Sequence, residues 1–340
     1  MFKKIFNYIK ELIIEEYKFI IFMILTFIIL NIPMNYYIIV GGGISNAEKR
    51  ITVDKASKSK GSFNISYVTQ LDGNLLTYCL SYIVPKWERE DANLYKYDED
   101  ESVDDIEFRS NLDLKTANST ATYWAYKLAN KSIKEKNRKL YVIATFPKEY
   151  YTDLKVADEI ISMDGKSYET VEEYSKYIQT KNKDDEIVVK VKRKNKEKDI
   201  KTKVYEYEGY KILGITLQYV KEYETSPTLK IKFKRSESGP SAGLVTTLEI
   251  YNQLTKKDIT KGKTIAGTGT IEEDGTIGEI GGIEHKILGA SHAKADIFLS
   301  PAGENYKTAK KYIKKKNIKI KLIEVKNIED AIEKLEKLEK

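Results

Sequence analysis

The chain has 340 residues, 41% hydrophobic and 32% charged, which is apolar material for two or three folded domains and too much for general disorder. Its formal charge of +7 is spread over lysines that alternate with glutamates, so the concentrated basic surface that nucleic acid requires is not expected. The single cysteine, Cys79, excludes an intramolecular disulfide and a clustered-cysteine zinc site, two histidines cannot build a three-histidine centre, and no metal is expected.

In chain order, the first feature is FIIFMILTFIIL at 19–30, which continues through NIPMNYYIIV to residue 40 without a charge. Read as one helix, the twenty-two residues 19–40 would rise about 33 Å, enough for a hydrocarbon core of about 30 Å. The expectation is a transmembrane anchor at 19–40 behind a short cytoplasmic segment at 1–18. Lys3, Lys4, Lys10 and Lys18 precede the run, partly offset by Glu11, Glu15 and Glu16, while Lys49, Arg50 and Lys55 follow it. That small inward bias tilts the amino end toward the cytoplasm. GGGISNAEK (41–49) reads as a linker opening an amino-terminal region at 41–139. Within it ITVDKA and SFNISYVTQL have strand character, and NLLTYCLSYIVP reads as a helix ending at Pro85, with Cys79 in a core setting. The acidic run YDEDESVDD reads as a solvated loop. STATYWAYKLANKSIKEK (119–136) reads as a helix opened by Asn118 or Ser119 and carrying Trp124, Leu128 and Ile133.

Residues 140–205 form a small α+β unit. LYVIATF and LKVADEIISMDGKSY place strands before an Asp-Gly turn, VEEYSKYIQTK gives a helix, and EIVVKVKRK alternates as a further strand. This order, and LKVADEIISMDG above all, resembles the second half of a PDZ domain. The resemblance implies peptide reception by strand addition at an exposed sheet edge. No Gly-Leu-Gly-Phe carboxylate-binding loop precedes the unit.

The remainder, 206–340, reads as an α/β domain. GITLQYV and PTLKIKFKR suggest strands, followed by helices at 241–256, 283–294 and 305–315, the strands ADIFLS and IKIKLIEV, and a terminal helix. Ser241, in SGPSAG at the first of these helices, has two readings. A serine at a helix entrance commonly caps free backbone N–H groups. Alternatively, Gly239 permits close backbone approach and helix-end amides around Gly239, Pro240 and Ala242 could hold an oxyanion beside a nucleophilic serine. His285 and His292 have no orienting acid and read as polar residues of the helix surface or its end. Lys286 shares a helix face with Ile283, Ala290 and Ala293. Taken alone it is a snorkelling lysine; desolvated, it could accept a serine proton. Between them Thr268 and Thr270 offer hydroxyls that could orient the amine. The surrounding glycines form neither a Walker loop nor a Rossmann fingerprint, so no nucleotide cofactor is expected.

GPSAG (239–243), AGTGT (266–270) and GGIEHK (281–286), in this order, resemble the blocks of the Lon-type serine protease domain. The resemblance implies Ser241 as nucleophile, Lys286 as general base and Thr268 as the residue that positions the lysine. The wider order resembles a membrane-anchored bacterial PDZ–Lon protease. That implies an ATP-independent endopeptidase on the outer face of the cytoplasmic membrane, acting on exported signalling peptides or small envelope proteins, with no cofactor. The alternative is a membrane-tethered PDZ-like peptide-binding protein or scaffold with a weakly active or inactive Lon-like shell. Ser238 stands where Lon sequences often carry an acid, and a ring-like oligomer is compatible with the resemblance.

Overall fold

Helix α1 of the computed structural model covers Phe2–Leu30, and the chain then turns into strand β1, Pro33–Asn46. The structure describes residues 2–146, 148–255 and 257–338. Lys256, the last residue of the expected 241–256 helix, lies outside them, as do the side chains of Lys3 and Lys4. The uncharged part of α1 runs only from Phe19 to Leu30, twelve residues that rise about 18 Å against a core of about 30 Å. Glu15, Glu16 and Lys18 charge the turn before it. Pro33 disfavours helical backbone at Ile32, and residues 36–39 pair as strand with Ile38 and Ile39 buried. Among the described residues no helix is long and apolar enough to cross a membrane. The transmembrane anchor at 19–40 is therefore corrected, because the uncharged run is half helix and half strand. The cytoplasmic leader at 1–18, the extracytoplasmic placement, the cell-membrane localisation and the cytoplasmic membrane as partner fall with it.

After β1 come β2 (Ile51–Val53), β3 (Ser62–Asn74), helix α2 (Leu75–Ile83) and β4 (Glu88–Asp91). The chain divides into two units, Met1–Gly41 with Val68–Tyr95, and Gly42–Tyr67 with Lys96–Lys340. In the first, β1 pairs antiparallel with β4, and a reciprocal capping box between Asn74 and Thr77 opens α2. Cys79 is exposed on a helix with no buried residue, which corrects its expected core setting.

In the second unit, helix α3 (Val103–Leu128) starts well before the expected Asn118 or Ser119. Ser102 caps it by accepting from Asp105 N, and Asp104 and Asp105 in the first turn suit its positive end. The acidic run is thus split between loop and helix. Glu101 is not solvated: it pairs with Arg109, the two side chains being 5% and 9% exposed. The helix stops at Leu128, so Ile133 belongs to strand β5 (Ser132–Thr145). There follow β6 (Glu159–Met163), α4 (Val171–Gln179), β7 (Glu186–Arg193), β8 (Lys196–Lys203), β9 (Tyr205–Tyr207), β10 (Tyr210–Ile212) and β11 (Ile215–Ser226). An antiparallel sheet in the order β11-β5-β6-β7-β8 buries Val142, Met163, Ile187, Val189 and Val191 beneath Tyr174 and Ile178 of α4. Its edge strand β11 comes from beyond residue 205.

The chain continues through β12 (Leu229–Ile231), α5 (Gly243–Leu254), β13 (Thr264–Gly267), α6 (Ile283–His292), β14 (Ile297–Pro301), α7 (Glu304–Lys316), β15 (Lys321–Val325) and α8 (Ile328–Glu336). Strand β13 pairs parallel with β3 on one side and with β14 on the other, and β14 pairs parallel with β15. Parallel strands covered on both faces need apolar side chains throughout, as Ile265, Ala266, Ile297, Phe298 and Leu299 provide. All twelve residues of α5 are buried. Polar ones must then find partners: Gln253 donates to Ile51 O, accepts from Val53 N, and donates to Glu249 at 2.6 Å.

Burial pushes the Glu249 carboxyl up to about 7. Its folded-state pKa lies above the unfolded value, so the associated stability is present below about 4.5 and is lost as pH rises through about 7. Replacing Glu249 with Gln should therefore raise the unfolding free energy by up to about 3 kcal/mol at pH 8 and by under about 1 kcal/mol at pH 5. Denaturant melts at the two pH values test this, and an equal effect at both would contradict it.

Candidate active site

Ser241 lies in the turn before α5, half-buried, with Ala242 as the N-cap residue and no side-chain cap bond at that end. The capping reading of Ser241 is thus set aside: no hydrogen bond among the described residues engages its hydroxyl. The turn depends on Gly239, whose φ of 82° is costly for other residues. A Cβ there would meet nothing within 4 Å, so conformation rather than close approach calls for the glycine. The Gly239 N–H donates to Ser110 O at 2.9 Å, which ties the loop to α3. The Ser241 carbonyl accepts twice, from Gly269 N at 2.9 Å and from Thr268 Oγ1 at 3.1 Å. Both of its lone pairs are engaged, and the backbone of the serine is held against the segment that follows β13.

Thr268 is fully buried at the end of β13, its N–H donated to Leu299 O. Lys286, in the first turns of α6, is 4% exposed among Ile283, Ile287 and Ala290, and its Nζ donates to Thr268 Oγ1 at 3.1 Å. Ala293, expected on the same face, is exposed at the helix end. Burial pulls the lysine down to about 8. The direction of the bonds follows from the Ser241 carbonyl, which can only accept. Thr268 must give it its proton and so must accept one from Lys286, leaving the lone pair of a neutral Lys286 available. The structure brings Thr268 to Ser241 and Lys286 to Thr268; no hydrogen bond joins Ser241 to Lys286 among the described contacts. His285 is buried on α6, not on its surface, whereas His292 is exposed.

Three positioning features escaped the sequence reading. The GGG run taken as a linker continues β1. A Cβ on Gly42 would lie 2.3 Å from His285 O and one on Gly289 2.5 Å from the Gly42 carbonyl carbon, so these glycines let the lysine helix approach the strand. Arg50, counted above only as a charge, donates to Glu237 at 2.7 Å and to Ser45 Oγ at 3.1 Å, and stacks on Phe233. Glu237 also accepts from Lys234 N at 2.7 Å. The acid missing at Ser238 thus has a neighbour at 237, turned toward Arg50. An arginine and an acid 187 positions apart give no sequence signal of their pairing.

Two family models match this chain. Residues 235–337 match the Lon protease (S16) C-terminal proteolytic domain. Residues 132–204 match the PDZ domain. Among solved structures, the PDZ domain of an SdrC-like protein from Listeria innocua is 25% identical, covering 23% of this chain and 92% of that one, with a TM-score of 0.22. The corresponding domain from Listeria monocytogenes is 23% identical over 25% of this chain and 92% of that one, with the same TM-score of 0.22. No curated protein matches. The Lon match suggests membership of a protease family. The expected membrane-anchored PDZ–Lon family is corrected to the PDZ-like and Lon-like modules alone, since the anchor is not found.

The depressed lysine has a stability consequence. Its folded pKa of about 8 lies below the unfolded 10.5, so the unfolded state binds more protons between those values and stability rises with pH across them. Replacing Lys286 with Met should stabilise the protein by about 3 kcal/mol at pH 7, with the gain fading toward pH 10. Denaturant melts across that range test it; a loss of stability at pH 7 would contradict the burial penalty.

Proposed function

We propose that the chain is a serine peptidase in which Ser241 is the nucleophile, Lys286 the general base and Thr268 the residue that orients the amine. The observation that carries this reading is the buried Lys286 amine, neutralised near pH 8, whose one described hydrogen bond leaves its lone pair free. In this mechanism the Ser241 hydroxyl gives its proton to that lone pair once substrate is bound, since catalytic hydrogen bonds often close only in the substrate complex. Lys286 takes the hydroxyl proton as Oγ attacks the peptide carbonyl, and the Oγ–C bond forms while the carbonyl π pair moves to oxygen. Collapse of that oxyanion breaks the C–N bond, with the lysinium giving its proton to the leaving amine. A water deprotonated by Lys286 then attacks the acyl carbonyl, and as the C–Oγ bond breaks the lysinium returns its proton to Ser241 Oγ, releasing the acid product and regenerating the site.

The oxyanion needs backbone donors. Gly239 already donates to Ser110 O and Pro240 has no N–H, so the candidates narrow to the amides of Ala242 and Ser241. Gly239 and Pro240 shape the turn. Substrates are extended peptide segments able to lie across a half-buried serine. Peptide reception by the PDZ-like unit is supported by its edge strand β11 with α4 alongside, where Gln179 exchanges two hydrogen bonds with Lys211 of the adjoining β10.

The test is hydrolysis of an unstructured peptide library, read by mass spectrometry, with Ser241→Ala and Lys286→Met as controls. Both variants should fold and lose at least about a hundredfold in rate. For the unmodified protein, kcat/KM should rise about tenfold per pH unit below about 8 and level above it. Hydrolysis surviving in Ser241→Ala would overturn the mechanism, and no turnover by the unmodified protein would leave a peptide-binding module.

A further inference from the structure

Strand β11 belongs to the PDZ-like sheet through its backbone, but two of its side chains, Tyr219 and Lys221, reach the loop that follows Thr268. Glu273, in that loop, accepts from Tyr219 Oη at 2.8 Å and from Lys221 Nζ at 2.7 Å. Its own carbonyl accepts from Trp124 Nε1 of α3 at 3.3 Å, and the Trp124 ring lies so close to Gly275 that a Cβ there would come within 2.8 Å. Tyr219 and Lys221 are two apart and share a face of the strand. The pairing of β11 with β5 is irregular between Thr216 and Leu217 and again between Glu222 and Tyr223, on either side of them. Such irregularities re-aim side chains. Burial raises the Glu273 carboxyl, and the bonds from Lys221 and Tyr219 more than offset that, so it is held below its ordinary value. The clamp borders a cavity of about 70 Å³ that Thr116, Ser119, Thr120, Tyr123 and Tyr223 also line.

The clamped loop touches the site at both ends. Ile271 lies against Gly243, two residues after Ser241, where a Cβ would come within 2.7 Å of its side chain. Ile277 lies as closely over Gly269, whose carbonyl accepts from Leu244 N and whose N–H holds Ser241 O. Thr270 N donates to Gly278 O and closes the loop.

We propose that Tyr219 and Lys221 are positioning residues which, by gripping Glu273, hold the 269–278 loop and with it Ser241 and Thr268, so that the peptide-receiving sheet and the hydrolytic site share one strand. The proposal rests on the serine peptidase reading for its catalytic consequence, not for the clamp itself. It makes the conformation of β11 a control on acylation.

The experiment uses the full chain with Lys221→Met, Glu273→Gln and the conservative Lys221→Arg, each checked for unchanged cooperative melting. Two quantities are read: amide hydrogen exchange at 269–278, and the saturating rate of Ser241 modification by a fluorophosphonate together with its half-saturating concentration. Lys221→Met and Glu273→Gln should speed exchange in the loop at least about tenfold and slow the saturating rate at least about fivefold, with half-saturation unchanged. Lys221→Arg should restore both. Unchanged exchange and rate in both disrupting variants would overturn the proposal, as would faster exchange with an unchanged rate. An unmodified protein that is not labelled at Ser241 would instead overturn the peptidase reading, with exchange still deciding the clamp. If a variant melts non-cooperatively, the Tyr219→Phe variant, which removes one donor and keeps the ring, replaces it.

Discussion

Everything at the candidate site depends on a lysine held out of water. An ammonium in an apolar setting has lost its hydration, and one hydroxyl partner cannot replace it, so burial favours the neutral amine. Lys286 is 4% exposed on a helix face it shares with Ile283 and Ala290, and Thr268 supplies the single described bond. Because Thr268 gives its own proton to the Ser241 carbonyl, the same hydroxyl that orients the amine also fixes the backbone of the serine. A helix, a strand end and a turn are thereby joined through one oxygen atom.

The rest of the second unit reads as support for that junction. Strand β13 delivers Thr268 between two parallel neighbours, where its backbone cannot shift without breaking pairing on both sides. The Gly42–Gly289 approach sets how closely the lysine helix lies on β1, and Arg50 with Glu237 fastens the loop that precedes Ser241. Burying an ionisable amine is costly, because its charged form has lost its hydration, and the protein carries that cost at Lys286. Sites that retain an unfavourable buried group commonly do so for chemistry.

Much of this was legible in the sequence. The strands and helices after residue 205 have clear periods and turn residues at their ends, and α5, α6 and α7 begin and end within a few residues of their expected limits. Ser241, Thr268 and Lys286 stood out because three glycine-rich blocks recur in a known order, whereas no single one of them carried the assignment. What failed was arithmetic across a boundary. The uncharged run at 19–40 reads as one helix by length and hydropathy, but Pro33 and the residues after it, paired at 36–39 with β4, belong to a strand. The start of α3 was misplaced because its first turns are acidic, and a helix N-terminus and a solvated loop look alike in composition. Long-range contacts such as Arg50 with Glu237, or Lys221 with Glu273, have no periodicity and exist only once the chain is folded.

The central claim is the state of one amine, and it can be measured without any substrate. Lysine side chains labelled at Cε and followed by NMR across pH, with Lys286→Met assigning the resonance, would report its titration directly. A midpoint near 8 is predicted. A midpoint at the ordinary lysine value of about 10.4 would leave fewer than about one in a thousand Lys286 amines neutral at pH 7, against about one in ten for a midpoint of 8, and the proposed general base would be lost.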